Sequence, residues 1–162
     1  MPDTNPGGRA LFARALRHLA VLALATGLAP AFAASNLVNI STRLQVLTGD
    51  DVLIGGFIIG GAAPKTVVVR ARGPSLAAAG VANPLANPRL DLYTGQAIVS
   101  SNDDWGQAAN AAAIQASGFA PPDPKESAIL YTLGPGAYTA VVNGVGGGTG
   151  VGLIEVFEVD RP

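Results

Sequence analysis

SAILYTLGPGAYTAVV, residues 127–142, decides the fold. Ser127–Leu133 and Ala137–Val142 form a clear pair of strands around the turn Gly134-Pro135-Gly136. The same pattern continues in both directions. Towards the C-terminus, Gly144–Gly150 is a glycine-rich loop and Val151–Val159 the last strand. Towards the N-terminus, Ala97–Ser100 is a strand, and Leu90 and Leu92 alternate with Asp91 and Tyr93 in another. In Thr66–Arg72 (TVVVRAR), Val67, Val69 and Ala71 share one face. Val52–Ile59 (VLIGGFII) is apolar on both faces, as expected of an inner strand. Its Gly55-Gly56 predicts a bulge or a close backbone approach. Leu37–Ile40 and Arg43–Leu47 open the domain. Turn residues at Thr48–Asp51, Ala63–Lys65, Gly73–Ser75 and Thr94-Gly95 separate these runs. Roughly eight to ten short strands with turns about every 8–12 residues specify an all-β sandwich.

One segment departs from that pattern. Gln107–Ser117 (QAANAAAIQAS) is alanine-rich and has no β-branched run, which fits two or three helical turns or a coil. It lies within the connection Ser101–Glu126, and a connection that long is usually ordered or functional.

The first 33 residues have the order of a secretory signal peptide. Arg9, Arg14 and Arg17 precede the apolar run Leu19–Leu28, Gly27 and Pro30 break it, and Ala31-Phe32-Ala33 offers small side chains to a signal peptidase. An apolar run of about ten residues is too short for a bilayer core that needs about twenty, so cleavage after Ala33 is expected and a transmembrane anchor is not. The mature chain, residues 34–162, is then one β-sandwich domain, secreted or periplasmic.

Removing the leader removes His18, the single histidine, and there is no cysteine. The mature chain therefore works without imidazole or thiol, which excludes most nucleophilic and acid–base mechanisms. Its charge is mildly acidic and interspersed, and nucleic acid as a partner calls for a basic patch instead.

The C-terminal half carries a resemblance. LDLYTGQAIVSSNDDW (90–105), SAILYTLGPGAYTAVVNG (127–144) and TGVGLIEVFEV (149–159) resemble the bacterial pre-peptidase C-terminal domains. Those domains follow a Leu-x-Leu-Tyr, Asn-Asp-Asp, Thr-Leu-x-x-Gly-x-Tyr progression. LIGGFIIGGAAPKTVVVRARGPSL (53–76) resembles a module that recurs in exported bacterial proteins. The resemblance implies a jelly-roll-like antiparallel β-sandwich that is not itself a catalyst, of the kind that accompanies secreted hydrolases. Some relatives of that sandwich bind calcium.

Several side chains are candidates for chemistry. Asn102, Asp103 and Asp104, with Asp91, Asp123 and Glu126, offer the oxygen ligands that calcium takes. The alternative is a loop whose Asx side chains bond nearby backbone N–H groups. A carboxylate-dependent hydrolase would need an acid and a base at fixed separation, and adjacent Asp103 and Asp104 would point to opposite faces if extended. Ser75 and Ser127 lack any base but Lys65 or Lys125, and Ser75 is expected to cap a turn. Gly144–Gly150 lacks the lysine of a phosphate loop and leads into a strand. Trp105, in the loop, is the candidate aromatic for a ligand contact, the alternative being a lid packed over one end of the sandwich, while Tyr131 and Tyr138 are spaced for the core. Arg70 and Arg72 share a face of one strand and Glu155 alternates with Leu153 and Phe157, which predicts an Arg–Glu pair bracing the sandwich. By the same spacing, Glu155→Gln should cost more than Glu158→Gln, because Glu158 lies near the chain end.

The expected function is a non-catalytic module, exported, with a binding, adhesion or structural role at or beyond the cell surface. Its partner would be a protein or a glycan. The alternatives are a small secreted carboxylate hydrolase and a calcium-dependent adhesion or matrix protein.

Overall fold

A computed structural model describes residues 40–159. The expected strand Leu37–Ile40 (save Ile40) and the signal sequence with its cut after Ala33 lie outside the described residues. Eight strands follow in order: β1 (Ile40–Val46), β2 (Leu53–Ile59), β3 (Lys65–Arg72), β4 (Pro88–Thr94), β5 (Ala97–Asn102), β6 (Ser127–Leu133), β7 (Gly136–Gly144) and β8 (Gly150–Glu158). They form two four-stranded sheets of order β1-β8-β3-β6 and β2-β7-β4-β5.

Every strand pair is antiparallel. The first strand pairs with the last, β2 with β7, β3 with β6 and β4 with β5. A long antiparallel ribbon has thus been wound so that successive pairs fall in alternate sheets, which is the jelly roll. The winding places both inner faces against each other. Val67, Val69, Ile129, Ile154 and Val156 of the first sheet meet Leu53, Phe57, Leu90, Leu92 and Val142 of the second in one buried core. Gly55 is the close approach expected of the double glycine, since a Cβ there would stand 3.3 Å from Ile154 Cδ1. The β2–β7 register runs without a bulge.

Two expectations are corrected here. Ser127–Leu133 and Ala137–Val142 are strands but not partners, because β6 pairs with β3 and β7 with β2 and β4. Each run has one apolar face to bury, and the Gly134–Pro135 turn satisfies both by carrying the chain across from one sheet to the other. Val52–Ile59 is not an inner strand, for β2 stands at the edge of its sheet. Ile54 and Ile58, on its outer face, are 56% and 73% exposed.

The two outer faces differ. The connection between β5 and β6 contains a 3-10 turn at Trp105–Gln107 and a short helix, α1 (Ala111–Ala116), so the alanine-rich segment does turn helical. The helix lies on β6 with Ile114 fully buried, and Phe119 stacks on Phe157 of β8 with ring centroids 4.2 Å apart. This covers Val68, Arg70 and Glu155 on the outer face of the first sheet. Arg70 Nε sits 2.7 Å from Glu155 Oε2, its Nη1 donates to Phe119 O, and its guanidinium lies over the Phe157 ring. The Arg–Glu pair is therefore present, clamped between sheet and covering segment. The contrast with Glu158 loses its basis, because Glu158 is buried too and pairs with Lys65 at 2.6 Å. Among the described residues no helix is long and apolar enough to cross a membrane.

Candidate functional site

Both sheets end on the same side of the sandwich, one at β5 and the other at β6. Between these two edges opens a cleft of about 580 Å³. One wall is Ser100–Asp104 with Gln107 and Asn110, and the other is Ala128–Tyr131 of β6. The cleft is a consequence of the fold, since a jelly roll has no further strand with which to close this side.

An exposed strand edge presents unpaired backbone groups. Here two asparagines stand in for the missing strand. Asn102 Oδ1 accepts from the N–H of Ala128 at 2.9 Å, and Asn110 Nδ2 donates to the carbonyl of Leu130 at 3.1 Å. Asn102 also donates to the carbonyl of Asp104, which fixes the turn that carries both aspartates into the wall. Asp104 Oδ2 accepts from Gln107 Nε2 at 2.8 Å, while its Oδ1 is buried without a hydrogen-bond partner. Asp103 accepts from the side-chain amide of Asn87, whose nitrogen also reaches the carbonyl of Lys125. Burial first, and the neighbouring carboxylate of Asp104 second, raise the pKa of Asp103 above the usual aspartate value, with Arg89 opposing them. Among the described residues no lysine or arginine lines the cleft.

The raised pKa has a consequence for stability. The folded state holds the Asp103 proton more tightly than the unfolded chain does, so ionisation costs stability at every pH above the raised pKa. Lowering the pH through that value restores it. Asp103→Asn should raise the melting temperature near neutral pH, and the gap to the parent should close as the medium is acidified. A gap that widens on acidification would show that Asp103 contributes through its charge.

The six residues proposed for calcium are spread over different tasks. Asn102, Asp103 and Asp104 line the cleft. Asp91, on β4, pairs with Arg89 at 3.1 Å and accepts from Ser101 Oγ. Asp123 Oδ1 accepts from the N–H of Lys125 in a tight turn. Glu126 is fully buried, and its Oε1 takes the N–H groups of Gly73 and Ser75 and the hydroxyl of Ser75. Among the described residues no three acidic or histidine side chains gather within reach of one ion.

Ser75 does not cap the 3-10 turn Pro74–Ala79 that follows β3; the cap comes from Glu126, 51 residues further on. Ser75 instead relays between Arg72 Nε and that carboxylate. Ser127 Oγ donates to the carbonyl of Pro88 within the sandwich. Trp105 is half-buried, with its ring N–H on the carbonyl of Asp123 and its backbone N–H on that of Glu126. It ties the connection to itself and is not among the residues that line the cleft. The aromatic that does line it is Tyr131, which is 43% exposed and so corrects its assignment to the core. Tyr131 has inward parity with Ile129 and Leu133, but β6 is the edge strand, and inward there means into the cleft. Tyr138 packs against the core and stacks with Phe57.

No protein-family model matches this sequence, and no curated protein sequence does. Among solved structures, the pre-peptidase C-terminal domain of a collagenase from Bacillus anthracis is similar to it. The likeness has a TM-score of 0.46 at 15% identity and covers 74% of this chain and 89% of that one.

Proposed function

We propose that this β-sandwich is an exported, non-catalytic module that binds a neutral polyhydroxylated ligand, a glycan, in the cleft between β5 and β6. The observation that carries the reading is the lining of that cleft. Hydrogen-bonding side chains, Asn102, Asp104, Gln107 and Asn110, stand on one wall and the exposed ring of Tyr131 on the other. A sugar offers hydroxyl donors to the acceptors and an apolar face to the ring. Two aspartates in a lining that carries no lysine or arginine disfavour phosphate, nucleic acid and other anions.

The same lining supports a binding role over hydrolysis. Glycoside hydrolysis sets two carboxylates on either side of the scissile bond, about 5–10 Å apart. Here Asp103 and Asp104 are neighbours on one wall, and Ala128–Tyr131 opposite brings no carboxylate. The chain also has no cysteine, and its single histidine is His18 of the expected leader.

A glycan array probed with the purified chain tests this, followed by titration of the best glycan. Tyr131→Ala is expected to weaken binding about tenfold or more, equivalent to about 1.4 kcal/mol, and Asp104→Asn to weaken it as well. An array without retained glycan, or a glycan whose binding is unaltered by Tyr131→Ala, would overturn the proposal.

A further inference from the structure

Strand β2 is apolar on both faces, yet it stands at a sheet edge with one of them in solvent. Among the described residues no helix or loop is seen to pack on the outer face of its sheet, unlike that of the other sheet. Ile54 and Ile58 project from it beside Val141 and Ala137 of β7, their register partners. Among the described residues the edge also has no strand beside it other than β7. Natural edge strands are protected by charge, proline or covering groups. β1 carries Arg43, and β6 has Asn102 and Asn110 bonded to its backbone. β2, Leu53–Ile59, has neither charge nor proline.

We infer that the chain forms a two-fold dimer by antiparallel pairing of β2 with the β2 of a second copy, centred on Gly56. The sequence LIGGFII is self-complementary about that glycine. With Gly56 opposite Gly56 of the second copy, Ile54 faces Ile58, Leu53 faces Ile59 and Gly55 faces Phe57, each pair occurring twice. That is the rule for a closed two-fold interface, in which residue i meets j and j meets i. The side-chain period of two keeps core residues on the core side only when the register shifts in steps of two. A shift of one such step sets Ile54 or Ile58 opposite glycine and loses an isoleucine pair, so the register centred on Gly56 is favoured.

Charge agrees with a second copy as the occupant. Identical chains repel wherever they bring the same charge together, and this strand brings none. The charges on this outer face are Arg89 and Asp91, which neutralise each other at 3.1 Å. One strand pair is smaller than the roughly 800 Å² per partner of a stable interface, so the dissociation constant should be of micromolar order.

Sedimentation of the purified chain from about 1 to 100 μM should show a monomer–dimer equilibrium. Ile58→Lys should raise the dissociation constant at least about tenfold without lowering the melting temperature of the monomer, read at about 1 μM or below, because Ile58 is exposed in the single chain. The chain has no cysteine, so crosslinking can read the register directly. A mixture of Ile54→Cys and Ile58→Cys chains should form a disulfide-linked heterodimer on oxidation. Ile54→Cys alone should crosslink poorly, its two sulfurs being four residues, about 13 Å, out of register. A monomer at every concentration overturns the inference. So does a dimer indifferent to Ile58→Lys, or an Ile54→Cys homodimer that links as readily as the mixture.

Discussion

Replacing Glu126 by alanine is expected to destabilise the domain by about 3–5 kcal/mol, the cost of removing one member of a buried charged network. The side chain is fully buried, and its Oε1 accepts three hydrogen bonds, from Gly73 N at 2.9 Å, Ser75 N at 3.0 Å and Ser75 Oγ at 2.6 Å. Two of those donors are backbone groups at the start of the 3-10 turn Pro74–Ala79, which has no side-chain cap of its own. Alanine would leave the buried Gly73 N–H and the part-buried Ser75 N–H unmet, at about 1–3 kcal/mol for a fully buried orphaned group. It would also remove the nearest carboxylate on one side of Arg72, whose Nε lies 4.0 Å from Glu126 Oε2. Glu126→Gln keeps an acceptor oxygen and should cost less. Domains rest on about 5–15 kcal/mol in total, so the alanine variant should show a large fall in its urea midpoint. An unchanged midpoint for Glu126→Ala would mean that water reaches this carboxylate and that the network is not a brace.

The strands were legible in the sequence because each has a periodic face and a marked end. Their partners were legible only where local pattern decides them. β4 and β5 meet across Thr94-Gly95 as a hairpin should, but β6 and β7 look the same in sequence and part company. What separates them is the winding of the whole ribbon, a property of all eight strands together. The reading of β2 as an inner strand failed for a different reason. Apolarity on two faces does not reveal whether a strand has a neighbour on each side, and β2 has only β7. Of the site, Asn102, Asp103 and Asp104 were found because clustered oxygens are visible locally. Tyr131 was missed because alternation gives its side of the sheet but not that the sheet ends there. Glu126 was noticed as a metal ligand, since a carboxylate in sequence does not reveal the two backbone N–H groups waiting for it some fifty residues earlier.

Replacing Gly73 by alanine should cost about 3 kcal/mol or more, beyond ordinary overpacking because the obstacle is backbone. A Cβ on Gly73 would stand 2.1 Å from the carbonyl oxygen of Leu85 and 3.0 Å from its carbon. Leu85 lies in the connection between β3 and β4, yet it is fully buried and belongs to the core. Its segment cannot retreat. The N–H of Leu85 is held by the carbonyl of Val151, and Val151 N–H by that of Asn83. On the far side lies Gly150, at φ +155°, where a Cβ would approach Leu85 N and Cα to 2.7 Å. Leu85 is thus gripped between two positions that only glycine can fill, one at the end of β3 and one at the start of β8. Any shift that relieved the clash at Gly73 would also pull its N–H from Glu126 Oε1, so the damage spreads into the same brace. Gly106→Ala, where a Cβ would meet nothing within 4 Å, should lie within about 0.5 kcal/mol of the parent. Urea melts of the two variants decide the matter. If Gly73→Ala melts with Gly106→Ala, the Leu85 segment yields freely and is not the wedge that holds this end of the sandwich shut.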